Sequence, residues 1–126
     1  MILFNGEQLA YLGDSIYESK IREYLLLNKN FKVNELHLCA IQYTSGEAQS
    51  KIIHTLIDKQ ILTEEEMSFY KKGRNSNHSS NRRNISVSDY KHATGFEALI
   101  GYLYLEKKEE RLAQIIDLAI NIIEEG

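Results

Sequence analysis

The sequence predicts an all-α fold: one helical bundle in one domain. Three observations predict it. Apolar residues recur at helical spacing nearly throughout, the chain has no proline, and no stretch alternates with period two for long enough to make a strand.

Leu9, Leu12, Ile16, Tyr24 and Leu25 outline a long first helix that ends near residues 28–30. Leu36, Cys39, Ala40 and Tyr43 mark a second, with Asn34 as its expected N-cap. Ile52, Ile53, Leu56 and Ile57 give a third. Thr63 and Glu66 have the spacing of a capping box, which opens a fourth helix through Met67 and Tyr70. Ser88, Tyr90 and residues 94–106 build a fifth, and residues 112–123 a sixth.

A chain of 126 residues fits one compact domain with a real core and no room for an additional substrate-binding module. No apolar run approaches the ~20 residues needed to cross a bilayer, and no basic-then-apolar leader opens the chain, so no membrane partner is expected. Cys39 is the single cysteine, which excludes an internal disulfide and a thiolate zinc cluster and fits a reducing cytoplasm. Its position near an apolar helix face suits a small buried filler.

The formal net charge of −3 argues against a nonspecific nucleic-acid binder, but the distribution of charge argues the other way. Residues 67–88 contain no acid and hold Lys71, Lys72, Arg74, Arg82 and Arg83. The acids gather at residues 64–66, 106–110 and 124–125. Residues 73–87 are rich in Asn and Ser behind a lead glycine, and are expected to form a mobile basic loop. Such a composition suits phosphate contacts, and equally suits a solvated loop with no partner.

Two segments carry the chemistry. LAYLGDSIYE (residues 9–18) and TGFEALIGYLYLE (residues 94–106) each place one carboxylate, Asp14 or Glu97, on an otherwise apolar stretch close to a glycine. A charge held in low dielectric without compensation costs several kcal/mol, so the placement asks for a partner or a metal. On patterning alone each reads equally as a solvated carboxylate on a helix edge. The histidines, His37, His54, His78 and His92, lack metal-ligand spacing beyond Asp89-x-x-His92. For His92 a local hydrogen bond near a helix start is the expectation.

GEQLAYLGDSIYE (residues 6–18) resembles the signature helix of ribonuclease III nuclease domains, and TGFEALIGYLYLE resembles their second acidic helix. HLCAIQYTSGEAQ (residues 37–49), KKGRN (residues 71–75) and LEKKEER (residues 105–111) extend the likeness to the Mini-III ribonucleases, which are a nuclease domain and nothing else. The resemblance implies a metal-dependent endoribonuclease that hydrolyses double-stranded RNA, with a family role in maturation of large-subunit (23S) ribosomal RNA and so in ribosome biogenesis. It implies Asp14 and Glu97 as catalytic residues and as ligands of Mg²⁺, for which Mn²⁺ is a possible substitute. Two acids of the larger enzymes are missing: Ala10 stands where they carry a glutamate and Thr94 where they carry an aspartate. A second reading is therefore a non-catalytic helical RNA-binding dimer that keeps the fold, and a third is an unrelated helical adaptor.

The resemblance assigns RNA contacts to Lys72, Arg74 and Asn75, with Ser45 and Gln49 from the stretch like the family's RNA-facing helix. Lys71, Arg82 and Arg83 join them on charge. It also implies a two-fold homodimer, each site cutting one strand. Ile16, Tyr17, Ile21 and Tyr24 give the signature helix more apolar surface than one core face requires. They fit such an interface, with Ile16, Tyr17 and Ile21 at its centre, and they fit internal packing as well.

Overall fold

The computed structural model describes residues 3–76 and 85–126. It holds six α-helices: α1 (Gly6–Asn28), α2 (Val33–Thr44), α3 (Gly46–Asp58), α4 (Glu64–Arg74), α5 (Val87–Leu105) and α6 (Glu109–Glu125). Among the described residues there is no strand, as the sequence predicts.

The run ATGFEALIGYL decides the architecture. From Ala93 to Leu103 every residue of α5 is buried, so this helix has no solvent face along that stretch. It is the axis of the bundle. α1, α3 and α4 pack along it, while α2 and α6 close the outside. The core beside it is filled by Tyr17, Ile21 and Leu25 of α1, Ile52, Ile53 and Leu56 of α3, and Ile115 and Ala119 of α6. Tyr17 and Phe96 meet edge to face with ring centres 5.0 Å apart, the favoured arrangement for two quadrupoles.

Tyr17 and Ile21 are thus fully buried within the chain itself. That corrects the expectation that they lie between subunits: their side chains have no surface left to offer a partner. Ile16 is half-buried at the edge of the same core. Period alone cannot separate these outcomes, because an internal core and an interface both demand apolar residues one turn apart.

α1 and α5 approach more closely than side chains would allow. Gly13 faces the Glu97 carbonyl and Gly101 faces the Leu9 carbonyl, and a Cβ at either glycine would overlap the opposing backbone oxygen. Each helix therefore supplies a gap for the other's backbone. The contact fixes the rotation of both helices.

The ends follow local rules with one exception. Asn5 caps α1 through its Oδ1, which accepts from the Gln8 N–H at 2.8 Å. Thr63 and Glu66 form the expected capping box, with reciprocal hydrogen bonds of 3.0 and 3.1 Å. Asn34, however, lies inside α2; the cap residue is Lys32, whose N–H donates to the Glu35 carboxylate at 3.0 Å. The Glu35 side chain closes the first turn earlier than the Asn34 signal suggests. α6 is tied down at its far end, where the hydroxyls of Tyr24 and Tyr43 donate to Glu124 Oε2 at 2.5 and 2.8 Å.

Glu66 has two partners. Besides capping α4 it is buried against Arg111, whose Nε and Nη2 donate to its two oxygens at 2.8 and 2.9 Å. Arg111 Nη2 also donates to the Ile61 carbonyl at 2.8 Å. Burial raises the Glu66 pKa, but the guanidinium and the Thr63 cap outweigh it and hold the carboxyl below the ordinary range. Removing Arg111 leaves a buried carboxylate without its counter-charge, which costs about 3–5 kcal/mol. Arg111→Ala should accordingly lower the unfolding free energy by about that amount in urea titrations at neutral pH. The loss should shrink toward acid pH, because a depressed carboxyl contributes stability above its unfolded pKa and forfeits it on protonation.

Candidate active site

The glycine contact between α1 and α5 also builds the acidic site. Gly13 sits against the Glu97 carbonyl, so the next residue, Asp14, emerges at the rim of the helix–helix seam. Asp14 and Glu97 line one cavity of about 170 Å³, together with Glu7 two turns earlier on α1. Ala10, Tyr11, Tyr90 and Thr94 complete its wall.

The two central carboxylates differ in environment. Glu97 is only 4% exposed, so for it the expectation of a charge in low dielectric holds. Asp14 is exposed, which corrects the same expectation for α1: the helix is apolar toward α5 and open to water one residue on. Ala10 and Thr94, where the larger enzymes carry acids, lie in the same cavity and are nearly buried. The Thr94 hydroxyl donates to the Tyr90 carbonyl at 2.9 Å, so it is committed within α5.

The carboxylates offer oxygen donors, which suit a hard divalent cation rather than a soft one. Among the described residues no three His, Cys, Asp or Glu side chains are grouped closely enough to hold a metal alone. A cation here would rest on Asp14 and Glu97 and keep several waters, which matches the reluctance of Mg²⁺ to dehydrate.

The basic residues of KKGRN are not loop residues. α4 runs through Arg74, and Gly73 is buried against α5, where a Cβ would press on the Thr94 carbonyl at 2.7 Å and the Ala98 Cβ at 2.6 Å. This corrects the loop boundary of residue 73: the lead glycine serves a helix crossing, not a turn. Lys71, Lys72 and Arg74 form the last turn of α4, where cations also complement the helix dipole. Lys71, Lys72 and Asn75 are exposed. Lys72 Nζ lies 5.3 Å from the Phe69 ring centre, and Arg74 Nε donates to Asn75 Oδ1 at 3.2 Å. Because Thr94 lines the acidic cavity and also meets Gly73, the cationic end of α4 and the carboxylates share one end of the bundle.

Arg82 and Arg83, and His78 with them, lie outside the described residues. Ser45 caps α3, its Oγ accepting from the Ala48 N–H at 3.1 Å. Gln49 is fully buried; its Nε2 donates to the Thr44 carbonyl at 3.0 Å, and its Oε1 has no hydrogen-bond partner among the described residues. A side chain in that position cannot reach a duplex without unpacking the α2–α3 corner, so Gln49 is corrected from RNA contact to structural amide. Cys39 is half-buried against the core.

The polar cluster that sequence reasoning misses lies behind Arg74. His92 bonds not to a neighbour on its own helix but to the Tyr70 hydroxyl across the α4–α5 seam, at 2.6 Å from its Nδ1. Asp89 instead accepts from Ser50 Oγ at 2.7 Å. Only a long-range contact joins these residues, and no local spacing announces it.

The described helices include none long and apolar enough to cross a membrane. Residues 7–108 match the family model of the ribonuclease III domain. The chain is 46% identical over 119 residues to a Mini-ribonuclease 3 of Clostridium tetani, covering 94% of this chain and 78% of that one. It is 45% identical over 122 residues to a Mini-ribonuclease 3 of Brevibacillus brevis, covering 97% and 90%. A solved crystal structure from Fusobacterium nucleatum superposes with a TM-score of 0.84 at 34% identity, covering 94% of this chain and 93% of that one. With a shared fold and this extent of identity, the chain belongs to the ribonuclease III family, in its Mini-ribonuclease 3 branch.

Proposed function

We propose that this protein is an endoribonuclease that hydrolyses double-stranded RNA with the help of a divalent cation, Mg²⁺ or in its place Mn²⁺. The observation that carries the reading is the placement of the cavity of Asp14 and Glu97 beside the cationic last turn of α4. A nuclease needs both: carboxylates to hold a cation where phosphodiester charge must be offset, and basic side chains beside them to hold the flanking phosphates. A bound divalent cation supplies an acidified water and offsets charge on the phosphoryl group in the transition state. Asp14 and Glu97 would hold it. Lys71, Lys72 and Arg74, with Asn75, grip phosphates and 2′ hydroxyls, since duplex RNA is read by shape across its minor groove. The family's substrate, precursor large-subunit ribosomal RNA in the cytoplasm, fits that shape-based grip.

Asp14→Asn and Glu97→Gln should each abolish cleavage of a duplex RNA in Mg²⁺ while leaving the melting temperature and the duplex affinity nearly unchanged. Full activity in either variant would refute the assignment of the site.

A second element of the reading is a two-fold dimer that brings two such cavities to the two strands. Tyr11 supports it: this aromatic is 85% exposed on α1, at the wall of the acidic cavity, while Tyr17 and Ile21 of the same helix are buried. A second copy laid across this part of α1 would cover it, and two-fold dimers are the commonest closed assembly. Wild-type protein should sediment as a dimer, and Tyr11→Asp should shift it toward monomer and cost double-strand cleavage. A monomeric wild type that still cuts both strands would exclude the arrangement.

Salt dependence tests the cationic turn. Each phosphate contact contributes roughly 0.7–0.9 to the slope of log affinity against log salt, extrapolated here from DNA to duplex RNA. Replacing Lys71, Lys72 and Arg74 together by Ala should flatten that slope measurably. An unchanged slope would make the turn a solubilising surface that serves only its own helix dipole.

A further inference from the structure

Arg74 does not hang free at the end of α4. Its guanidinium carbon lies 5.5 Å from the centre of the Tyr70 ring, one turn back on the same helix. Tyr70 is almost completely buried, and its hydroxyl meets His92 Nδ1 at 2.6 Å. The two rings are nearly parallel, 8° apart in plane, so the pair forms a rigid plate across the α4–α5 seam. Behind His92 stands His54 of α3, with ring centres 4.3 Å apart. His54 Nδ1 lies 2.7 Å from the Ser50 carbonyl, and Ser50 Oγ donates to Asp89 of α5.

The hydrogen-bond directions are decided by neighbours. A phenol donates one proton, and a carbonyl only accepts. His54 must therefore donate from Nδ1 to the Ser50 carbonyl, and a neutral His92 can accept the Tyr70 proton at Nδ1. A charged His92 would carry a proton there itself and turn the bond round, donating to the phenol oxygen, and it would set a positive charge facing that of Arg74.

Resting on the reading of Arg74 as an RNA contact, we propose that Tyr70 and His92 are positioning residues for it. Their hydrogen bond fixes the plate that carries the guanidinium, so Arg74 is presented to duplex RNA while His92 is uncharged and is driven off the plate by like charge when His92 takes a proton. Among the described residues, the groups that face His92 are His54 from α3, Tyr70 and Arg74 from α4, and Asp89 on its own helix. Burial, His54 and Arg74 push its pKa below the ordinary histidine value, and Asp89 pulls the other way without prevailing. The neutral form is thus the one the fold favours, and acid reverses it.

The sign is unusual and testable. A histidine that merely adds charge near phosphates tightens RNA binding as the pH falls; this one should loosen the Arg74 contact. The experiment measures affinity for one duplex RNA without divalent cation, at pH 8 and at an acid pH where the NMR titration of His92 shows it protonated, for wild type, Arg74→Ala, Tyr70→Phe and His92→Asn. At pH 8 wild type should bind on the order of tenfold more tightly than Arg74→Ala, the size of one charge-assisted hydrogen bond. At the acid pH, where NMR shows His92 protonated, that ratio should approach one. Tyr70→Phe, which keeps the ring and loses the donor, should match Arg74→Ala at both pH values. His92→Asn, an uncharged acceptor near the Nδ1 position, should restore most of the pH 8 affinity and abolish the pH dependence of the Arg74 contribution. Equal binding of wild type and Arg74→Ala at pH 8 would overturn the RNA role of Arg74, and this inference with it. A clear Arg74→Ala defect with wild-type behaviour in Tyr70→Phe, or with a ratio that persists once His92 is protonated, would overturn the positioning alone.

Discussion

Everything at the acidic end of this protein depends on how closely α1 can lie on α5. Two helices bearing ordinary side chains keep their axes 8–10 Å apart, a typical spacing set by Cβ atoms and beyond. Here Gly13 and Gly101 remove those atoms on opposite sides of one crossing, and each faces a carbonyl of the other helix. The seam is then set by backbone against backbone, which is stiffer than side-chain packing because neither partner can change rotamer. Asp14 follows Gly13 in sequence, and Glu97 carries the carbonyl that Gly13 meets. The carboxylates are therefore placed by the contact itself. A site whose chemistry tolerates errors of only a fraction of an ångström gains from being attached to the least adjustable part of the fold.

The same device extends to α4. Gly73 lets its last turn descend onto Thr94 and Ala98 of α5, while Gly6 of α1 faces the Lys72 carbonyl. Three helices are thereby locked at one end, and that end gathers carboxylates in the seam and cations on the outer turn. Away from that end the helices are held differently. The buried Glu66–Arg111 pair and the Tyr24–Glu124–Tyr43 bonds fasten α6 and the start of α4 through side chains. Side-chain clamps suffice where only stability is at stake.

What can be read from the sequence follows from the range of the interaction. The six helices, the Thr63–Glu66 capping box and the apolar character of α5 are local properties, written in periodicity and in spacings of three or four residues. The shared cavity of Asp14 and Glu97 is hinted at by a carboxylate inside an apolar run, but patterning alone leaves each equally a solvated carboxylate, and Asp14 is indeed exposed. Asn34 misleads because a side-chain bond from Glu35 outweighs a residue-type preference. Tyr17 and Ile21 look like contacts to an outside partner because period says which face is apolar, never what lies opposite; Gln49 is carried over from a resemblance that says nothing of its burial. The Tyr70–His92 bond cannot be seen at all: it joins residues 22 positions apart on different helices. Glycine is the signal that would have told more. Gly13, Gly73 and Gly101 sit inside helices, where glycine costs about 1 kcal/mol against alanine unless a close approach requires it.

Ala10 and Thr94 then acquire a physical meaning. They stand in the cavity wall where the larger ribonuclease III enzymes carry two further acids. Two more carboxylates in a cavity of about 170 Å³ would place further negative charge beside the buried Glu97. An alanine and a threonine remove two of those charges. Thr94 moreover satisfies its hydroxyl on the Tyr90 carbonyl, so that group is not left waiting for a metal. The fold is thus spared the charge that a four-acid site would carry, and a cation bound there would meet fewer ligands. On the proposed reading, the work of holding a polyanion falls on the neighbouring turn of α4. There Arg74 lies over a buried phenol that is itself bonded to an imidazole, rather than free at the helix end.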